Sequence, residues 1–345
     1  MVITPGSVRT VLGDVEAESL GATNYHEHLF QVSPLLPGDE LDDEAASQAE
    51  AAALRGSGFD AMVDATPTGL GRNPVALRRI SAATWLGVVA TTGAHRAEHY
   101  GSDHWLLDAS EEALTERFTA DVLDGIPESD GPEPGARTDV RAGVVKAGIG
   151  YWTISPYARR VLAAVAATHR ATGAAVMVHL EHGSATFEVL ALLADLGVPA
   201  SAVCLAHVDR NPDPGLHAEL AKAGAYLGYD GWARTQRWPD SVLLDCLLAA
   251  ADQGAAGRIL LGGDVARASR YRAYGGMPGL AYVGKRVLPR LERAAPALVD
   301  QVLRTNPARW LSASPAQTVG PASASEWNSA GGVGDRPPSE TGAQR

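Results

Sequence analysis

The chain has little lysine, little cysteine and no long apolar run. Of its 29 basic residues only Lys146, Lys222 and Lys285 are lysines, and the other 26 are arginines. Two cysteines, Cys204 and Cys246, cannot build the disulfide framework of a small secreted protein. No apolar run approaches the ~18 residues that span a bilayer, and the first residues lack the basic and apolar parts of a signal peptide. We therefore expect a cytoplasmic protein with reduced thiols.

Basic charge is also outweighed by acidic charge, because 40 acidic residues give a formal net charge of −11. An acidic surface repels phosphate backbones and anionic lipid, so nucleic acid and membranes are not expected as partners. Apolar residue types make up 46% of the chain, which is enough for a large core and excludes disorder throughout. A length of 345 residues suits two ordinary domains or one large α/β domain.

Short apolar runs rich in β-forming residues alternate with amphipathic segments. Most intervals between the runs fit one strand, one helix and two loops, and this alternation demands a parallel sheet. Eight units are the number that closes a (β/α)8 TIM barrel of ~250 residues. An open doubly wound sheet is the alternative, but no Gly-x-Gly-x-x-Gly follows an early strand. The eight predicted strands end at His28, Thr66, Gly93, Lys146, His179, His207, Asp230 and Asp264.

The domain prediction is one barrel over residues 1–311 and a disordered C-terminal tail over residues 312–345. The tail is rich in Ser, Gly, Ala and Pro and has almost no apolar periodicity, so it cannot offset the entropy of ordering. The longest interval between strand ends runs from Gly93 to Lys146 and indicates an inserted loop within residues 95–139. We expect the histidines in it, His95, His99 and His104, to be exposed.

Side chains that bind metals lie at the ends of the predicted strands. Residues i and i+2 of a strand point the same way, so His26 and His28 face one side. The carboxyl ends of barrel strands form one face, where such side chains converge. Each histidine alone is more often a hydrogen-bonded structural residue, and Asp264 alone is more often a loop cap, but their conjunction favours metal ligands. The candidate ligands are His26, His28, Lys146, His179, His207 and Asp264.

Seven segments, in order along the chain, resemble the phosphotriesterase family of the amidohydrolase superfamily, which are metal-dependent hydrolases on a (β/α)8 barrel. The segments are Asn24-Tyr-His-Glu-His-Leu29, Asp64-Ala-Thr-Pro-Thr-Gly-Leu-Gly-Arg72, Gly143-Val-Val-Lys-Ala-Gly148, Val178-His-Leu-Glu-His-Gly183, Ala206-His-Val-Asp-Arg210, Leu260-Leu-Gly-Gly-Asp264 and Asn306-Pro-Ala-Arg-Trp-Leu311. The resemblance therefore covers essentially the whole predicted barrel.

The resemblance implies two divalent metal ions. His26, His28 and Asp264 would bind one, and His179 and His207 would bind the other. Lys146, carboxylated by carbon dioxide, would bridge both, since arginine cannot lose its proton to become this ligand. Imidazole and carboxylate ligands suit zinc best, with manganese, cobalt or iron as alternatives. Asp264 would be catalytic, taking a proton from a metal-bridging hydroxide and passing it to the leaving group.

Departures from the family's organophosphate-hydrolysing members bear on the substrate. Gly231 follows Asp230 where those members place a proton-transfer histidine, and Gly93-Ala-His95 stands where the lactonase branch tends to carry a tyrosine. The His207-Val-Asp-Arg210 segment resembles the lactonase branch and the uncharacterised branches of the family. We therefore expect hydrolysis of a lactone or other carboxylic ester. Phosphotriester hydrolysis is one alternative. An inactive barrel that acts as a binding protein is another, which the complete ligand set disfavours.

Several further residues are candidates around the metals. Arg267 and Arg270 follow the last strand, where barrel loops often bind phosphate, so they and Arg210 are candidates for an anionic substrate group such as that of a phosphorylated sugar lactone. Solvated arginines are the alternative interpretation. Asp209 and Glu181 are candidates for orienting ligand imidazoles. The resemblance also implies a homodimer.

Overall fold

Alternating strands and helices build a barrel in the computed structural model, which describes residues 3–312. An antiparallel hairpin, β1 (Ser7–Thr10) and β2 (Gly13–Glu16), precedes it. Eight parallel strands then pair in chain order. They are β3 (Thr23–Glu27), β4 (Ala61–Asp64), β5 (Gly87–Gly93), β6 (Ala142–Gly148), β7 (Ala175–His179), β8 (Val203–Ala206), β9 (Tyr226–Tyr229) and β10 (Ile259–Leu261). The (β/α)8 prediction is confirmed, and the doubly wound alternative is wrong.

Backbone hydrogen bonds close the barrel between its first and last strands. The N–H groups of Gly263 and Asp264 donate to the carbonyl of His26, at 3.2 and 2.9 Å. Several strands end one to three residues before their predicted ends, because the backbone leaves the extended region there. His207 has φ 67° and Asp264 has φ 43°, so neither residue continues a strand.

Helices surround the barrel, and capping residues explain several of their starts. The side chains of Asn73, Ser110, Ser155 and Asp213 each accept a backbone N–H at a helix N-terminus. The helices are α1 (Glu44–Arg55), α2 (Pro74–Thr84), α3 (Trp105–Asp108), α4 (Glu111–Leu123), α5 (Pro156–Thr172), α6 (Thr186–Asp195), α7 (Pro214–Lys222), α8 (Asp240–Asp252), α9 (Leu288–Ala294), α10 (Pro296–Asp300) and α11 (Asn306–Leu311). Within residues 3–312 none of them is long and apolar enough to cross a membrane.

The hairpin β1–β2 and the helix α11 cover the amino ends of the barrel strands. This cover was not predicted from the sequence. Val8 of the hairpin and Trp310 and Leu311 of α11 belong to one apolar cluster with the barrel interior, and all three are buried. The Trp310 ring meets the Tyr25 ring edge-on, with centroids 6.3 Å apart. The predicted tail, from residue 313 onward, lies outside the described residues.

The interval after β5 differs from the predicted inserted loop. It contains α3 and α4, and α4 is one of the helices of the barrel. Arg72 anchors the loop that follows α4, since its guanidinium forms ion pairs of 2.7 Å with both Asp121 and Asp130. The expected exposure of the three histidines is wrong, since His104 is partly buried and His95 and His99 are buried. The exposed fractions of His95 and His99 are 6% and 9%, because this segment folds back over the carboxyl ends of the strands.

Candidate functional site

A cavity of about 600 Å³ opens at the carboxyl ends of the strands. The predicted ligands converge on it from β3, β6, β7 and the loops that follow β3, β8 and β10, although they are far apart in sequence. The structure thus brings the six candidate ligands to one cavity wall. Those lining residues are His26, His28, Lys146, His179, His207 and Asp264.

His26, His28 and Asp264 form the first group with the geometry of a metal site. Their ligand atoms all lie within 4.8 Å of one another, and all three residues are buried. Nε2 of each histidine lies 3.6 Å from Oδ1 of Asp264. The distances leave space for an ion among three donors.

Hydrogen bonds fix which nitrogen of each ring faces that space. Thr66 Oγ1 donates its proton to the carbonyl of Phe30 at 2.6 Å, so at 2.7 Å it accepts one from His28 Nδ1. Nε2 of His28 is therefore left as an acceptor. His26 Nδ1 lies 3.1 Å from Asp230, and its Nε2 is buried without a hydrogen-bond partner. An orphaned buried nitrogen of this kind fits a metal ligand.

His179 and His207 form a second group, in which two acceptors face each other. His207 Nδ1 donates to Asp230 Oδ1 at 2.7 Å, and His179 Nε2 donates to Glu181 Oε1 at 2.9 Å. The remaining nitrogens, His207 Nε2 and His179 Nδ1, are 2.8 Å apart. Two neutral rings in these tautomers cannot hydrogen-bond to each other. Both nitrogens therefore have the lone pairs that would serve as two ligands of one cation.

Burial keeps these imidazoles neutral, as metal ligands must be. It lowers the pKa of His28 and that of His207 to about 3. Burial also lowers the pKa of His179 well below its usual value. Protons therefore do not occupy the inward-facing nitrogens at neutral pH.

Lys146 lies on β6 with 1% of its surface exposed. Its Nζ donates to the carbonyl of Ala65 at 2.9 Å, and burial lowers the pKa of the amine to about 8. A larger neutral fraction of the amine favours reaction with carbon dioxide. Gly93 packs against this position at φ 96°, and a Cβ there would lie 2.0 Å from the carbonyl oxygen of Lys146. Only glycine fits beside the lysine.

Two candidate ligands carry strained backbones. His207 and Asp264 have positive φ, which costs a residue other than glycine roughly 1–3 kcal/mol. Strain of this size persists where the surroundings impose it, typically at functional sites.

Arginines hold Asp264 in its charged form. Its Oδ2 accepts from Arg210 at 3.0 Å and from Arg234 at 2.6 Å. Burial alone would raise the pKa of this carboxyl, but the charge of Arg234 holds it well below the usual value. Arg234 also bonds the carbonyls of Asp230 and Gly263, so it joins the ends of β9 and β10. Neither its position nor this role was predicted from the sequence.

The predicted orienting carboxylates divide into one that contacts a ligand and one that does not. Glu181 bonds His179, and it also pairs with Arg96 at 3.2 Å. Asp209 accepts instead from the backbone N–H of Gly231 at 2.7 Å and bonds no candidate ligand. The carboxylate that bonds two candidate ligands is Asp230, which ends a predicted strand as several of those ligands do but was not among the predicted orienting residues.

Arginines dominate the rest of the cavity. Glu181 and Asp264 are the carboxylates among the described residues that line it. The arginine side chains among the same lining residues are Arg96, Arg210, Arg234, Arg237, Arg267 and Arg270. The cavity is therefore basic inside a protein of net negative charge, and it is suited to an anionic ligand.

The sequence model that describes the phosphotriesterase family matches residues 6–311 of this chain. The chain belongs to this family. It is 30% identical to a phospho-furanose lactonase of Mycoplasmopsis synoviae, over 88% of this chain and 91% of that protein. A lactonase structure from Listeria monocytogenes superposes with a TM-score of 0.82 at 30% identity, covering 89% of this chain and 99% of that one. The phosphotriesterase homology protein of Escherichia coli, solved with phosphate in its active site, superposes with a TM-score of 0.76 at 28% identity, covering 85% and 99%.

Proposed function

We propose that the protein is a metal-dependent hydrolase of lactones that carry an anionic group, in the simplest case a phosphorylated sugar lactone. The observation that carries the proposal is the basic lining beside the histidine cluster, which suits a charged substrate. The lactonase and phospho-furanose lactonase names of similar proteins support the same class.

The residues that would hold the metals are those that the family resemblance implies, and their unpaired nitrogen lone pairs support this assignment. His26, His28 and Asp264 would bind one ion, His179 and His207 the other, and a carboxylated Lys146 would bridge them. We propose zinc, because imidazole and carboxylate donors suit it. When bound, the metals supply an activated water and polarise the substrate carbonyl.

Asp264 would move the proton. Arg210 and Arg234 bond its Oδ2 and keep it ionised, while Oδ1 faces the histidines, where it would contact both the metal and the attacking water and would accept the proton of that water. The proton then passes to the alkoxide that leaves when the lactone ring opens. Arg210 is therefore a positioning residue in this proposal, rather than the substrate ligand that we expected from the sequence.

Arg270 is the strongest candidate for the anionic group. Burial and neighbouring Arg234 lower the pKa of Arg270 to about 10, and its hydrogen bonds are long contacts to carbonyls, of 3.4 and 3.5 Å. Within residues 3–312, no carboxylate lies at hydrogen-bonding distance from its guanidinium. Arg267 is half exposed and lies 3.6 Å from Asp39. An incoming phosphate would relieve the uncompensated charge of Arg270 more than that of Arg267.

Steady-state kinetics of the zinc-loaded protein test the proposal. A phosphorylated γ-lactone should be hydrolysed faster than the same lactone without phosphate and faster than an aryl phosphotriester. Arg270→Ala should lower kcat/KM for the phosphorylated lactone by about 10- to 100-fold and leave the neutral lactone unchanged, since a hydrogen bond to a charged group is lost. Arg267→Ala is the matched control with a smaller effect. A higher rate on the phosphotriester than on every lactone would contradict the proposal, and no hydrolysis at all would favour an inactive binding protein.

The homodimer and the cytoplasmic location stay predictions. Light scattering of the purified full-length chain should give twice the chain mass of 36.0 kDa. A mass of one chain would contradict the dimer.

A further inference from the structure

Two buried histidines face the same cavity but take no part in the proposed metal set. His95 and His99 follow β5, and their ring centroids lie 3.8 Å apart. The His95 ring is also 4.5 Å from the ring of His179, so the pair borders the reacting end of the cavity. Both residues line that cavity.

Hydrogen bonds fix the tautomers of the two rings. Ser33 Oγ donates to the carbonyl of His99 at 3.1 Å, so it accepts from His99 Nδ1, also at 3.1 Å. Nε2 of His99 is then an acceptor. His95 Nδ1 accepts from the backbone N–H of Arg96 at 2.7 Å, which leaves its Nε2 as a donor. Within residues 3–312, the hydrogen bonds that the two rings form all involve Nδ1.

A neutral donor beside a neutral acceptor is the complement of a hydroxyl group, which both accepts and donates. The neighbouring charged residue Arg96 forms an ion pair with Glu181. We therefore expect the two neutral rings to bind a neutral group of the substrate. We propose that His95 and His99 bind a hydroxyl group of the substrate next to its reacting carbonyl, and that these two residues determine the preference for a lactone that carries this hydroxyl over one that lacks it. This inference rests on the proposed lactonase function and narrows its substrate class.

The test compares two phosphorylated γ-lactones that differ only in the hydroxyl group beside the carbonyl, which one of them lacks. The wild-type zinc enzyme should prefer the hydroxylated lactone by about 10- to 100-fold in kcat/KM, because the deoxy compound leaves both nitrogens unpaired. His99→Phe keeps a ring against His95 but removes the acceptor. It should abolish the preference by slowing only the hydroxylated lactone.

Two further variants separate recognition from structure. His99→Gln, which keeps a polar acceptor, should restore part of the preference. His104→Asn changes a histidine of the same segment that does not line the cavity, and it should keep the full preference. Absence of a preference in the wild type, or equal slowing of both lactones by His99→Phe, would overturn the inference while leaving the lactonase proposal intact. No hydrolysis of either lactone would overturn both.

Discussion

The two ends of the barrel are built from different chemistry. At the amino ends of the strands, hairpin β1–β2 and helix α11 bury apolar side chains such as Val8 and Trp310. At the carboxyl ends, histidines, arginines and one lysine surround a cavity, and Asp264 holds a strained backbone there. The contrast indicates that the amino end supplies stability and the carboxyl end supplies function, as is general for barrels of this type. Variants at each end should therefore separate the two properties.

The largest effect is expected from Lys146→Met. Methionine fills a similar volume but cannot be carboxylated, so the proposed bridging ligand would be lost. Activity should fall by about 10³-fold or more, beyond the roughly 10- to 100-fold that the loss of an outer partner of a ligand costs. Elemental analysis should show less than two metals per chain, and the Tm of the apo protein should not fall, because a buried amine is removed.

Lys222→Met is the matched control for that variant, since Lys222 is exposed on α7. It should retain full metal content and activity. Full activity of Lys146→Met would contradict the proposed bridge.

At the opposite end, Trp310→Ala should lower the free energy of unfolding by about 3–5 kcal/mol, the usual cost of truncating a buried tryptophan. The folded fraction should keep its kcat and its metal content, because Trp310 contacts the barrel floor and not the cavity. Chemical denaturation and kinetics measure the two quantities. Trp85→Ala is the control, since 85% of that side chain is exposed and a change within about 0.5 kcal/mol is expected. If Trp310→Ala lowered kcat as much as the cavity variants do, the assignment of stability to one end of the barrel and function to the other would be contradicted.

Asp230→Asn should weaken metal binding by about 10- to 100-fold, because Asp230 orients His26 and His207 together. Burial alone would raise the pKa of Asp230, but the two histidines hold it well below the usual value. Asp209→Asn is the matched control, because Asp209 is a neighbouring buried carboxylic acid that bonds no candidate ligand. Burial and neighbouring Asp230 raise the pKa of Asp209, so the change to a neutral amide alters little charge. Competition with a chelator measures both affinities, and equal effects would contradict the assigned roles.

A smaller effect concerns acid stability and the ion pairs that anchor the loop after α4. Burial opposes ionisation of Asp130, but Arg72 prevails and lowers its pKa. A depressed folded pKa stabilises the protein above the unfolded value of about 4, and this contribution is lost as the pH falls through the folded pKa. Asp130→Asn should therefore be less stable by about 1–3 kcal/mol at pH 7, with a gap that narrows below pH 4.

The control for this variant is Asp139→Asn, because Asp139 is largely exposed beside exposed Arg78. It should show little change at any pH. If the free energy of unfolding of Asp130→Asn differed from that of the wild type by the same amount at every pH, the electrostatic explanation would be contradicted.

Much of the barrel was predictable because its signals are local. Alternating apolar runs located all eight strands, and Asn73-Pro74 marked the start of α2. The hairpin and the cover by α11 were not predictable in the same way, since their burial depends on contacts such as that between Trp310 and Tyr25, far apart in sequence. The predicted strands extended too far at His207 and Asp264, because tertiary contacts impose a positive φ on both residues.

The candidate site was predictable where its residues lie at strand ends, and was not predictable where they lie in loops. Residues at strand ends converge through topology alone, and this argument located the six candidate ligands. Residues that reach the cavity from loops follow no such rule. His95 and His99 lie in the long interval after β5, where an exposed loop was expected, and Arg234 comes five residues after the end of β9. Asp230 did end a predicted strand, so its position carried the same signal, although it was not among the predicted orienting residues.

The most direct test of the account is a crystal structure of the zinc-loaded protein with anomalous diffraction data. We expect two anomalous peaks, one among His26, His28 and Asp264 and one between His179 and His207. Density on Lys146 Nζ should extend to both peaks. A single peak, peaks elsewhere, or an unmodified Lys146 in fully loaded protein would contradict the proposed two-metal centre.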